Sequence, residues 1–187
     1  MNLELDNNNL DSIDLPFKHS VFSDERYQYL FWKSGVEHYR VLNYISSLFE
    51  NITICDIGTK HGLSAIALAN KNNHVYSYDL VDKLDSNLKK LEQELNVDFF
   101  IRNCLEAEED KHRILSSKIV MLDTDHDGFF ENKFYDFLVE NNYKGLLILD
   151  DINLNDPMIK FWNRISQPKF DITRFGHHSG TGIVEFN

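Results

Sequence analysis

Three things are scarce in this chain of 187 residues: cysteine, positive charge, and apolar runs of membrane-spanning length. There are two cysteines, Cys55 and Cys104, far apart and without a C-x-x-C pair, so they read as small buried hydrophobes of a reducing compartment. Lys and Arg number 19 against 30 Asp and Glu, a formal charge of −11. Phosphate backbones and anionic membranes attract clustered cations, so nucleic acid, membrane surfaces and polyanionic acceptors such as RNA are excluded as expected partners. No apolar run approaches the ~20 residues that span a bilayer, and no basic start with an apolar stretch marks a signal peptide, so the expected location is cytoplasmic. What is present is ordinary for a soluble protein, with 42% hydrophobic and 26% charged residues. A chain of this length can bury a single core without disulfides.

Residues 1–15, rich in Asn and Asp, read as a flexible or loosely docked N-terminal arm. Residues 16–50 read as N-terminal helices that cap whatever site follows. "SDERYQYLFWKS" starts with a plausible cap at Ser23, and "VEHYRVLNYISSLF" puts Val36, Tyr39, Leu42, Ile45 and Phe49 on one face. "PFKHSVF" reads as the lead-in to the first helix rather than a lid, and the aromatics of "RYQYLFW" as packing that, where exposed, permits a homodimer.

From residue 51 to 187 strand and helix alternate. Strands are expected at "ITICDIG", "HVYSYDL", "VDFFIRN", "KIVMLD" and "GLLILDD", with helices at "LSAIALANK", "KLDSNLKKLEQEL", roughly 106–116, "FENKFYDFLVENN" and "NDPMIKFWNRI". The end differs, because "KFDITRFG" and "GTGIVEF" are joined by a Gly- and His-rich turn, so the last strand runs antiparallel. The fold class is α/β: a doubly wound, Rossmann-like, seven-stranded sheet, mostly parallel, with helices on both faces. In such sheets ligands bind beyond the carboxyl ends of the strands. Asp56 with Gly58, Asp79, Asn103, Asp123, Asp150 with Asp151, and the turn "GHHSG" all fall there.

"LDTDHDGFF" begins as a calcium loop does, with Asp123, Asp125, Asp127 and Gly128. The twelfth position, however, is Phe134 where a bidentate Glu is required, and a strand rather than a helix precedes it. Asp123 with Asp150 and Asp151, from neighbouring strand ends ~4.8 Å apart, can converge on one point. Like charges that close need a cation between them, and oxygen ligands favour a hard one such as Mg²⁺. "DIGTKHGLS" offers Gly58 and Gly62 for a sharp turn near a helix N-terminus. Lys60 and Leu63 occupy the second and third glycine positions of a dinucleotide fingerprint, which disfavours NAD. Asp79 falls ~20 residues on, where a ribose-binding acid sits in nucleotide-binding sheets.

These motifs together resemble the class I S-adenosylmethionine-dependent methyltransferases over residues ~50–187. Within them "MLDTDHDGFF…LLILDD" is similar to the metal-dependent O-methyltransferases, nearest to the macrocin-type enzymes that modify sugar hydroxyls. The resemblance implies S-adenosylmethionine contacts from Asp56, Gly58, Thr59, Lys60, Gly62, Ser64, Asp79, Leu80, Asn103, Cys104 and Asp123. Asn103 stands where the family usually carries an Asp beside the adenine. It further implies Mg²⁺, or another hard divalent ion, on Asp123, Asp150 and Asp151. Asp125 is then the general base, with His126 its rival because imidazole titrates near working pH. The turn that carries His177 and His178 reads either as a Gly-rich hairpin with exposed histidines or, on the active edge, as candidate contacts to the acceptor, a sugar-containing or similar small molecule. The competing readings are a metal-dependent hydrolase and a non-catalytic small-molecule-binding domain of the same fold.

Overall fold

The structure, a computed structural model, describes residues 5–13, 33–84, 88 and 92–187. The lead-in "PFKHSVF", nearly all of the helix expected over residues 23–34 and much of that expected over 83–95 lie outside the described residues.

The elements run α1 (Asn7–Asp11), α2 (Lys33–Ser47), β1 (Thr53–Ile57), α3 (Leu63–Leu68), β2 (His74–Asp79), α4 (Glu92–Leu95), β3 (Val97–Ile101) and α5 (Glu108–Ser116). They continue with β4 (Ile119–Leu122), α6 (Phe129–Glu140), β5 (Gly145–Asp150), α7 (Asp156–Arg164), β6 (Lys169–Asp171) and β7 (Thr181–Phe186). The seven strands form one sheet in the order β3-β2-β1-β4-β5-β7-β6. The first five run parallel to one another, and β7 runs antiparallel to both β5 and β6. Strand order therefore reverses between β1 and β4, where Ile57 pairs with Leu122.

Alternation along the strands divides the interior in two. Ile54, Ile119, Met121, Leu146 and Ile148 face α2 and α3, where Val41, Leu42, Ile45, Ile66 and Leu68 are buried. Cys55, Ile57, Val120, Leu122, Leu147 and Leu149 face the other way, onto Ile114, Phe134, Leu138, Phe161 and Trp162 of α5, α6 and α7. Both faces are covered, which explains why all six residues of β5 are apolar or buried. Both cysteines are buried and free, and burial pushes each thiol up to about 12, so both stay protonated.

Two expectations change. The segment 5–13 is not a free arm: α1 buries Leu10, Leu5 and Ile13 pack on the same core, and Asp11 pairs with Arg40 at 3.0 Å. Burying one leucine is worth about 1.5–3 kcal/mol, enough to dock one helical turn. The sixth strand is also shorter than the sequence suggests. After Asp171 the chain turns, with Asp171 Oδ1 accepting from Thr173 N at 2.9 Å and Ile172 O accepting from Phe175 N at 2.8 Å. Because β6 runs parallel to β5, the 172–180 connection lies on the carboxyl edge of the sheet. No helix among the described residues is long and apolar enough to cross a membrane.

Candidate active site

A cavity of about 950 Å³ opens at that carboxyl edge, over the point where strand order reverses. This is at the upper end of the ~300–1,000 Å³ of small-molecule pockets. Of the residues the sequence nominated, Gly58, Thr59, Lys60, Ser64, Asp79, Leu80, Asn103, Cys104, Asp123, Asp125, His126, Asp150, Asp151, His177 and His178 line it. Asp56 and Gly62 do not.

The side formed by β1, β2 and β3 is built on backbone hydrogen bonds. Gly58 N and Thr59 N both donate to Tyr78 O, at 2.8 and 3.1 Å. Gly58 has φ +97°, and a Cβ there would stand 1.6 Å from Asp123 O. The close approach that requires glycine is thus between two loops of the protein. Lys60, in the left-handed region at φ 50°, donates its N–H to Asp79 Oδ2 at 2.8 Å, and Val81 N donates to Asp79 Oδ1 at 2.9 Å. Asn103 Oδ1 accepts from Leu105 N at 3.1 Å. Asp56 sits below this loop, fully buried, with Oδ2 accepting from Ser64 Oγ at 3.0 Å and Ser77 Oγ at 2.8 Å. Burial pushes its pKa up to about 6 despite those two bonds. Gly62 is set by the core, where a Cβ would meet Leu88 Cδ2 at 2.5 Å. Both residues therefore shape the loop from behind, without reaching the cavity where contact was expected.

The side formed by β4, β5 and the 172–180 connection is acidic and interleaved with imidazoles. His126 Nε2 lies 3.1 Å from Asp123 Oδ1 and 3.4 Å from Asp151 Oδ2. His177 Nδ1 lies 3.1 Å from Asp151 Oδ1 and 3.5 Å from Asp150 Oδ2. His38, from α2, brings Nδ1 to 3.7 Å from Asp150 Oδ1. Two residues here hold left-handed backbones, His126 and Asp151, both at φ 58°. The loop after β4 is braced by buried Glu131, whose Oε1 accepts from Thr124 Oγ1 at 2.6 Å and His126 N at 3.0 Å, and by Asn155, which donates to His126 O at 2.9 Å. Asp125 is exposed on the cavity wall.

Charge coupling follows from these distances. The carboxylates of Asp150 and Asp151 hold the His177 pKa up at about 10. Burial opposes the charge on His126, but Asp123, Asp151 and Asp150 outweigh it and raise its pKa. Burial raises the Asp123 pKa, with Asp150 adding to the effect and His126 and His38 opposing it. For Asp151 burial is outweighed by the bonds from His177 and Ser179, and its pKa falls.

The donors on this side suit a cation. His38 Nδ1 and Asp150 Oδ1 are buried without a hydrogen-bond partner, an arrangement that a bound ion resolves. Among the described residues, two sets of three offer ligand atoms within 4.8 Å of one another: His38, Asp123 and Asp150, and Asp150, Asp151 and His177. The trio Asp123, Asp150 and Asp151 is not one of them. The sequence reading had no role for His38, although it stands one turn before Leu42 and two before Ile45 in the apolar stripe of α2. A histidine inside such a stripe was the available signal.

No family model matches the chain, and no curated protein sequence matches it. Solved structures do. The O-methyltransferase TomG from Streptomyces achromogenes, involved in tomaymycin synthesis and solved with S-adenosylmethionine, is 14% identical, with 79% of this chain and 78% of that one covered and a TM-score of 0.60. An O-methyltransferase from Bacillus cereus in complex with S-adenosylhomocysteine is 15% identical, with 78% and 79% covered and a TM-score of 0.54. A tRNA (uracil-54, C5)-methyltransferase from Pyrococcus abyssi is 16% identical, with 78% and 36% covered and a TM-score of 0.51. These neighbours differ in the molecule they modify, so the likeness establishes the fold and leaves the chemistry to the site. The chain has the Rossmann-like, seven-stranded fold that these methyltransferases share.

Proposed function

We propose that the chain is an S-adenosylmethionine-dependent O-methyltransferase. Its acceptor is a hydroxyl of a sugar or a similar small molecule, held with the help of a divalent ion. The observation that carries this reading is the joining, in one cavity at the strand-order reversal, of a side around Asp79 and Asn103 held by backbone hydrogen bonds with a carboxylate- and imidazole-rich side around Asp123 and Asp150.

In this reading Asp79 accepts the ribose hydroxyls, its two oxygens already aimed by the N–H groups of Lys60 and Val81. Asn103 lies beside the adenine, and the Gly58–Lys60 loop follows the methionine part. Asp123 and Asp150 hold the ion. When bound, the cofactor supplies a methyl group on a sulfonium and the ion lowers the pKa of a coordinated hydroxyl. Asp125, exposed in the cavity and free of the carboxylate–imidazole pairs, takes the acceptor proton. His126 is committed to Asp123 and Asp151 and so orients the carboxylates. His177 and His178 present polar edges to a hydroxylated acceptor. Holding both reactants in one pocket supplies up to ~7–11 kcal/mol of the barrier reduction.

Calorimetric titration with S-adenosylhomocysteine, in Mg²⁺ and then in chelator, tests the reading. Micromolar affinity in both conditions is the expected result. Absence of binding in both would favour hydrolysis at the aspartates instead.

A further inference from the structure

We propose that His38 is a ligand of the site's metal ion, together with Asp123 and Asp150, and that its imidazole selects a first-row transition ion such as Mn²⁺ or Co²⁺ over Mg²⁺. The inference rests on the metal-binding part of the proposed function and is independent of methyl transfer.

Three observations converge. His38 and Asp150 are each more than nine-tenths buried, at 6% and 5% exposure, and both aim an atom without a hydrogen-bond partner at the same place: Nδ1 of one and Oδ1 of the other, 3.7 Å apart. Asp123 completes a set whose ligand atoms lie within 4.8 Å of one another. Leaving two such atoms buried and unsatisfied is unfavourable, and a cation between them removes both penalties.

The alternative set, Asp150, Asp151 and His177, lacks this tension. Asp151 Oδ1 accepts a hydrogen bond from Ser179 Oγ and pairs with His177 Nδ1 at 3.1 Å, and His177 reaches Asp150 through the other oxygen, Oδ2, at 3.5 Å. Asp150 thus divides its two oxygens: Oδ2 is used by protein, and Oδ1 faces His38 and is left for the ion. His177 and Asp151 become the supporting layer that fixes the Asp150 carboxylate.

The choice of ion follows from the donors. Mg²⁺ takes oxygen ligands and keeps several waters, whereas a site with an imidazole nitrogen binds first-row divalent ions with affinity rising from Mn²⁺ through Fe²⁺ and Co²⁺ to Ni²⁺ and Cu²⁺ and falling back at Zn²⁺. One nitrogen with two carboxylates is a set for the borderline ions. The arrangement also ties α2 to the sheet edge, because α2 supplies the nitrogen and β4 and β5 supply the oxygens.

The test uses the intact, chelator-treated chain, with Mn²⁺ and Mg²⁺ as probes. Calorimetry gives the affinities, and electron spin-echo modulation of the Mn²⁺-loaded protein reports directly bound nitrogen. The wild type should bind Mn²⁺ more tightly than Mg²⁺ and show ¹⁴N modulation. His38→Ala should weaken Mn²⁺ at least about 10-fold and abolish the modulation, while changing Mg²⁺ affinity less than about 2-fold. His177→Ala should keep the modulation. His38→Gln, of similar volume, guards against a folding defect, and circular dichroism checks both variants. Absence of ¹⁴N modulation in the wild type overturns the proposal without any variant. So does its survival in His38→Gln, or its loss in His126→Ala with survival in His38→Ala. S-adenosylhomocysteine titration of the same samples separates the two ideas, since a nitrogen signal without nucleoside binding would leave His38 a ligand and remove the methyltransferase reading.

Discussion

The two sides of the cavity hold their polar groups in opposite ways. On the β1–β3 side, Asp79 spends both carboxylate oxygens on backbone N–H groups, and Asn103 accepts from Leu105 N and donates to Glu106. These groups are held in place by the chain itself, as a site for a neutral, hydrogen-bonding ligand should be. On the β4–β5 side, Asp150 Oδ1 and His38 Nδ1 are buried with no hydrogen-bond partner, and carboxylates and imidazoles crowd at 3.1–3.7 Å. That is the side on which the proposed cation would sit. One side is satisfied by the fold itself, whereas on the other the fold leaves buried polar atoms for a ligand to satisfy.

Four substitutions sharpen or break this contrast. Gly58→Ala strikes the seam between the sides. Its Cβ would overlap Asp123 O at 1.6 Å in a backbone region that favours glycine, so both loops must move. A loss of about 3 kcal/mol or more is expected, a fall in Tm of about 6–12 °C. Calorimetry should show nucleoside and metal binding lost together. Retention of either at wild-type strength would mean that the sides are independent.

Asp150→Ala should break one side alone. Metal affinity should drop at least about 100-fold, whereas S-adenosylhomocysteine binding should stay within about 3-fold. An equal loss of both would refute the division.

Asp56→Asn tests the support beneath the first loop through pH. The folded-state pKa of about 6 stands above the ordinary value of 3.8, so the folded state binds the proton more tightly. The stability this contributes is complete below about pH 4 and is lost as pH rises through about 6. Asn carries no charge at any pH. The mutant should therefore gain stability relative to wild type between pH 4 and 7, by up to about 3 kcal/mol, in urea unfolding. A pH-independent difference would show that Asp56 is not the titrating group.

The smallest effect should come from Asp79→Ala, which removes a hydrogen-bonded carboxylate worth about 1.5–2 kcal/mol to the nucleoside. A weakening of S-adenosylhomocysteine by about 10–30-fold is expected, with metal affinity unchanged. An unaltered nucleoside affinity would remove Asp79 from the site.

The contrast also explains what the sequence could and could not reveal. Strand ends were legible because apolar runs such as "KIVMLD" and "GLLILDD" stop at carboxylates, and each alternating residue finds a covered face. Asp79, Asn103, Asp123, Asp150 and Asp151 therefore fall on one edge of the sheet from the sequence pattern alone. Side-chain direction was not legible. Asp56 lies one residue before the end of β1, and strand alternation turns it into the space beneath the loop, where Ser64 and Ser77 receive it. His38 was hidden for a different reason: it meets Asp150 across more than a hundred residues of chain, and only the packing of α2 on the sheet brings the two together. The docking of α1 through Leu10 was masked by its Asn- and Asp-rich surroundings, in which one buried leucine outweighs a polar composition.

The most direct measurement is a crystal structure grown with S-adenosylhomocysteine and Mn²⁺, with anomalous scattering used to locate the ion. The account predicts the nucleoside against Asp79 and Asn103, and a single ion between His38, Asp123 and Asp150, in the same cavity. Nucleoside density elsewhere, or an ion seated away from Asp150, would contradict it.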